Sequence, residues 1–229
     1  MTNCPKMRKI IFVIALLFIA ACAQSKDFRY GLGQINKLNS KYNLTMETYP
    51  GEISRINLLL DDYKELKKLK LEKGQEPFNY IIDYRASNLE AEKSYIQGQK
   101  YGNAGTTKYG FGCKTRPLII ESVSFRNMSA QAGFGAVGLL KDFVEKYPNE
   151  AGIAGFGQKN VLFLNATFYG IAKDARRDSN TINHFCPINV TLELYRGEFR
   201  KRANMSEDFI NNLDYEHAVP IWKKVRGIG

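Results

Sequence analysis

Chemistry-bearing residues are scarce in this chain. Histidine occurs twice in 229 residues, as His184 and His217, tryptophan once and cysteine four times. There is no HExxH, no CxxC pair, no calcium-binding loop and no nucleophile elbow. Nucleophilic catalysis needs a reactive side chain held beside a base, and no motif places one beside either histidine. Paired carboxylates, which could act on sugars, occur as Asp61–Asp62 and Glu207–Asp208. Solvated helix faces and helix N-termini already favour acids at such places. An apolar stretch able to cross a bilayer is also missing. The run from Ile10 to Ala21 counts twelve residues, against the ~20 that a spanning helix needs.

That short run is nevertheless the most specific feature of the sequence. Arg8 and Lys9 precede it, and the small residues Ala20 and Ala21 close it before Cys22. A cationic start, a brief apolar core and small closing residues are the parts of a secretory signal. Ile19-Ala20-Ala21-Cys22 resembles the lipobox of bacterial-type lipoproteins. The resemblance implies cleavage before Cys22 and a diacylglyceryl group on its thiol. That would place the protein on the extracytoplasmic side of the cell membrane, with membrane lipid as its first partner. Two acyl chains suit stable anchoring, because a single chain binds reversibly. An ordinary signal peptide cut nearby, leaving Cys22 free, is the competing reading. Residues 1–21 are then the signal peptide, 22–27 a polar tether and 28–229 one helical domain. Met7 would serve as a start as well as Met1 does, so Cys4 is given no role.

Two thiols remain, Cys113 and Cys186. In an oxidising compartment they read as one disulfide. It would close a loop of about 74 residues and contribute about 4 kcal/mol in the chain-entropy model. A metal site built from Cys113, His184, Cys186 and His217 is the rival, but the usual paired-ligand spacings are absent. No cofactor is implied. The chain carries a formal charge of +10, and removing residues 1–21 takes away Lys6, Arg8 and Lys9 and no acid, which leaves +7. That balance favours an anionic neighbour, such as an envelope component or an anionic polymer. A generically solvated surface explains it more simply, and no specific nucleic-acid motif is present.

Hydrophobic periodicity predicts helices almost throughout. Ile35, Leu38 and Tyr42 form a short amphipathic face, and 44–49 could be extended before a turn at Pro50–Gly51. Ser54 reads as an N-cap for a helix with Ile56, Leu59, Leu60, Tyr63 and Leu66 inward. Pro77 opens the next helix, which carries Arg85 and Glu92 beside its apolar stripe. These two are read as an ion pair reaching another helix or, alternatively, as part of a cleft. The glycine-rich stretch 102–112 is expected to be a loop without the phosphate-binding pattern. Thr115 and Pro117 start a third helix. Gly133, Gly135 and Gly138 then imply either a break at 131–135 or a closely packed neighbour, and the break is favoured. A further helix runs to Tyr147 and ends at Pro148. Val161–Ala175 is helical, and Ser179–Pro187 is a polar loop. Residues 190–202 are helical, with a strand over 189–195 as the alternative. Short helices follow behind Ser206 and Asp214.

Tyr95–Tyr101 and Ala136–Pro148 resemble the first and second helices of tetratricopeptide-type repeats, although no even period of about 34 residues connects them. The resemblance implies an antiparallel helical array and no particular activity. The expected fold is all-α, with about seven to eight helices and one disulfide between loops. Lys173, Arg176, Arg177 and His184, with Asp174 and Asp178 among them, form the densest polar set. They are the candidate binding residues, because paired arginines suit a carboxylate or phosphate. A helix C-terminus whose arginines answer the dipole accounts for them equally well. The expected function is a membrane-anchored binding or scaffold module. A cell-envelope hydrolase, or a capture protein for an anionic polymer, is the alternative.

Overall fold

The computed structural model describes residues 26–42, 49–109 and 112–228. The expected signal peptide, Cys22 and the stretch 44–48 lie outside the described residues. Among the described residues every regular element is helical: α1 Phe28–Lys41, α2 Tyr49–Leu66, α3 Gln75–Tyr109, a 3-10 turn Cys113–Thr115, α4 Arg116–Lys146, α5 Pro148–Ile153, α6 Gln158–Phe185, α7 Ile188–Arg202, α8 Glu207–Asn212 and α9 Tyr215–Arg226. The expected all-α array is therefore the observed fold, built from three helices longer than the sequence reading allowed.

Those three have 35, 31 and 28 residues (α3, α4 and α6). Helix α4 is central, and both α3 and α6 pack along it. Small residues set how close they come. A Cβ added to Gly98 of α3 would lie 2.9 Å from Arg126 Cγ and 3.1 Å from the Ser122 carbonyl oxygen of α4. The Ser122 hydroxyl donates to the Gly98 carbonyl at 2.7 Å. About three turns further along α4, a Cβ on Gly133 would sit inside the Phe168 ring of α6. The favoured break at 131–135 is thus overturned. Helix α4 runs unbroken, and Gly133 is glycine because an aromatic ring occupies its side-chain space. The ~1 kcal/mol cost of a helical glycine is met by burying Phe168, which is 5 % exposed.

Three more boundaries differ for related reasons. The expected loop from Gly102 is helical through Tyr109, because Gly102 and Gly105 face Ser122, Leu118 and Ile119 of α4. The expected loop at 179–187 is helical to Phe185, since Ile182 inserts between Ile119, Val123 and Ala175. Helix α2 begins at Tyr49, which puts Ser54 inside it rather than at its cap. The helix expected over 190–202 is present, and the alternative strand at 189–195 is not formed. Ser206 and Asp214 do cap α8 and α9, accepting from the Phe209 and His217 backbone N–H groups at 3.3 Å and 2.9 Å.

The main core joins Phe28 and Ile35, Leu59 and Tyr63, Phe78 and Ile81, and Leu140 and Phe143, from α1 to α4. A separate core under α7–α9 gathers Tyr195, Phe199, Ile210, Leu213 and Trp222. The Cys113–Cys186 disulfide ties the 3-10 turn ahead of α4 to the end of α6, with Cα atoms 4.9 Å apart. Beside it, Glu198 links the C-terminal core to that turn. Its carboxylate accepts from Trp222 Nε1 at 3.1 Å and from Arg226 Nε at 2.9 Å, and it pairs with Lys114 at 2.9 Å. Burial alone would raise the Glu198 carboxyl, but Arg226 and Lys114 outweigh it and bring it down to about 2.

Two outcomes follow from this packing. Gly133→Ala should destabilise by about 2 kcal/mol through overpacking, whereas Gly138→Ala, whose Cβ meets nothing within 4 Å, should stabilise by up to ~1 kcal/mol; chemical denaturation of the two variants reads the opposite signs. The second concerns acid. A carboxyl lowered on folding stabilises above its ordinary value of 4.5 and loses that contribution as pH falls towards about 2. Fluorescence of Trp222, the single tryptophan, should report C-terminal loosening across that interval, and Glu198→Gln should flatten this part of the acid titration.

Candidate functional site

Three hollows adjoin along α3 as a groove, one on the side of α1 and α2 and two where α3 and α6 pack over α4. The first, about 370 Å³, lies between α2 and α3 and is lined by Asn39, Arg55, Tyr63, Tyr84, Arg85, Asn88 and Glu92. The second, about 360 Å³, is mostly apolar, with Ala91, Tyr95, Phe163, Leu164, Phe168 and Ile171 in its walls. The third, about 330 Å³, is lined by Gln99, Asn103, Ser122, Arg126, Asp174 and Asp178. Asn88 and Glu92 belong to the first two hollows, and Tyr95 and Ile171 to the last two, which makes the groove continuous. At 1.5 Å per helical residue, the span from Arg85 to Asn103 is ~27 Å.

Each wall is one stripe of a helix. Residues 85, 88, 92, 95, 99 and 102 of α3 follow alternating steps of three and four, as do 119, 122, 126 and 129 of α4 and 164, 167, 171, 174 and 178 of α6. Such steps keep side chains on one face. The stripes mix polar, small and aromatic residues, so a search for apolar periodicity passes over them. That spacing was the one signal the sequence offered.

The charges are unevenly satisfied along the groove. In the first hollow Glu92 pairs with Arg55 of α2 at 3.6 Å, and Arg55 also reaches the Tyr42 carbonyl at 3.4 Å. Arg85 has no carboxylate partner among the described residues. Its guanidinium lies 5.8 Å from the Phe156 ring centroid and beside the Tyr63 hydroxyl. The Nε atoms of both Arg55 and Arg85 are buried without a hydrogen-bond acceptor, an arrangement that ordinarily costs free energy. Desolvation raises the Glu92 carboxyl above its usual range, with Arg55 opposing and Glu52 reinforcing. Burial likewise raises the Tyr63 phenol, whose hydroxyl donates to Asn39 Oδ1 at 2.6 Å. Ser129 beside the middle hollow is fully buried, and its hydroxyl has no partner. At the far end the acids are paired: Asp178 with Arg126 at 2.8 Å and Arg177 at 3.4 Å, and Asp174 with Arg177 at 3.1 Å.

Lys173, Arg176, Arg177 and His184 are all exposed on α6, and none of them lines the groove. His184 packs edge-on against Phe185 with ring centroids 4.9 Å apart. Of the polar set around them, Asp174 and Asp178 line the third hollow, and Asn183 accepts from Arg116 at 2.7 Å. Arg85 and Glu92 do line a cleft, but the ion pair is made by Arg55 and Glu92. No group of three metal-ligating side chains occurs among the described residues, and none of their helices is long and apolar enough to cross a membrane. Asn127, Asn165, Asn189 and Asn204, each opening an Asn-x-Ser/Thr triplet that could accept a glycan, are all exposed.

Fold and site together define an all-helical protein with an open, amphipathic groove. Comparison with protein-family models, with curated proteins and with solved structures found no match.

Exposed ion pairs contribute at most ~1 kcal/mol. Arg177→Ala and His184→Ala should therefore leave thermal unfolding almost unchanged, while Arg126→Ala, which takes a guanidinium from a part-buried pair with Asp178, should lower stability measurably more in the same assay.

Proposed function

We propose that this chain is a lipid-anchored binding module of the extracytoplasmic membrane surface, with the groove along α3, from α2 to α6, as its binding site. The observation that carries the reading is the first hollow. Two arginines present buried Nε donors without acceptors there, and one of the two lacks any carboxylate partner among the described residues. Buried donors are rarely left unsatisfied in a protein, so the hollow is complementary to a ligand that accepts hydrogen bonds. The anchor half of the proposal is supported by the lipobox-like Ile19-Ala20-Ala21-Cys22 and the cationic, apolar leader ahead of it. A binding role is favoured over hydrolysis because Glu92, Asp174 and Asp178, the acids along the groove, are each held by an arginine, which leaves none of them as an unpaired acid or base.

The test has two readings on one preparation, the full chain purified from membranes. Intact-mass analysis should find a chain beginning at Cys22 and carrying a diacylglyceryl group; an unmodified residue 22 behind an intact leader would overturn the anchor. Thr167→Trp fills the middle hollow from an exposed wall position. It should keep the helical circular dichroism and lose whatever small molecule or partner co-purifies with the native protein. Equal retention by the variant would overturn the groove as the site.

A further inference from the structure

We infer that the groove takes a single anionic amphiphile, a long-chain lipid bearing a carboxylate or phosphate, with its head at Arg85 and Arg55 and its chain laid along the middle hollow. The inference rests on the groove being the binding site and names what it binds.

Charge comes first. Glu92 answers Arg55, whereas Arg85 faces no carboxylate among the described residues, so the first hollow is complementary to one negative charge. Guanidinium donors match the planar oxygens of carboxylate and phosphate. Apolar surface comes second. Beyond Asn88 and Glu92 the walls turn to Ala91, Tyr95, Phe163, Phe168 and Ile171, and Phe163 is 75 % exposed. From Phe163 to Ile171 this apolar wall runs ~12 Å along α6, suited to an alkyl chain rather than to a small anion. Exposed aromatic area of this kind on a groove lip marks a surface that is covered in use.

The walls also discriminate between chain types. All three are α-helices, whose interior N–H and C=O groups are bonded within the helix. They offer no ladder to an extended peptide, which would leave its own backbone groups unpaired at the cost that burial exacts. An alkyl chain carries no such groups. The partnerless Ser129 hydroxyl then has a use, as a donor to an ester or amide oxygen partway along the ligand.

The experiment uses the full chain held in amphipol and a long-chain fatty acid carrying a fluorophore as the probe. A long-chain fatty acid and a lysophosphatidic acid should each displace it. The alcohol of the same chain length should compete at least about tenfold more weakly, the loss expected for one charged hydrogen bond. Arg85→Gln should weaken the acid by a similar factor and leave the alcohol unchanged. Phe163→Ser, at an exposed position that the fold does not need, should weaken acid and alcohol alike. Equal competition by acid and alcohol, or an Arg85→Gln variant with native affinity, would overturn the inference. Displacement by an acidic apolar peptide but not by lipid would keep the groove as a binding site and reject the amphiphile. A probe whose binding ignores Thr167→Trp would remove the groove itself.

Discussion

The structure depends on how closely two long helices can approach a third. Helix α4 presents Ser122 and Gly133 on one face, about three turns apart. Against the first lies the backbone of α3 at Gly98, and into the second sinks the ring of Phe168 from α6. Both contacts need the absence of side-chain atoms at a particular place. The second matters most for α6, which packs chiefly on α4. Close packing of this kind is sensitive to single methyl groups, so the positions of α3 and α6 are determined at a handful of small residues.

The groove is a consequence of that arrangement. Two helices that meet the same face of α4 at different heights leave part of that face uncovered between them, and the stripe Ile119, Ser122, Arg126 and Ser129 becomes the floor. The ends of the assembly are then closed by other means. The disulfide joins the start of α4 to the end of α6, and α2 supplies Arg55 and Tyr63 at the opposite end, next to the main core. The C-terminal helices form a separate core, attached through Glu198 to Lys114 and through Lys223 to Glu121. Charge is thus spent in two ways. Around Glu198 and Asp178 it holds helices together in satisfied pairs. Around Arg85 it is left available.

Much of this was legible in the residues themselves. Periodicity located nearly every helix, caps at Ser206 and Asp214 marked two starts, and counting cysteines paired Cys113 with Cys186. What misled was glycine. Read locally, Gly102, Gly105 and Gly133 are helix-weakening residues in loop-like company; only the partner helix reveals that they are packing surfaces. The loop expected at 179–187 failed similarly, because Ile182 is one apolar residue in a polar stretch and is buried by neighbours more than 60 positions earlier, Ile119 among them. Arg85 and Glu92 were singled out for lying beside an apolar stripe, and that anomaly did mark the groove. The identity of the partner, Arg55, is a tertiary fact with no signature in the chain. The dense polar set at 173–184 drew notice for its composition, yet its arginines and histidine point to solvent, since helix phase and not residue density decides which side chains meet.

The most direct test of this arrangement is amide hydrogen exchange through residues 131–135, at the middle of α4. One continuous helix, held by the Gly133–Phe168 contact, predicts protection there equal to that of the turns on either side. A window of fast exchange confined to those residues would mean that α4 is broken, and the groove built on it would have no floor.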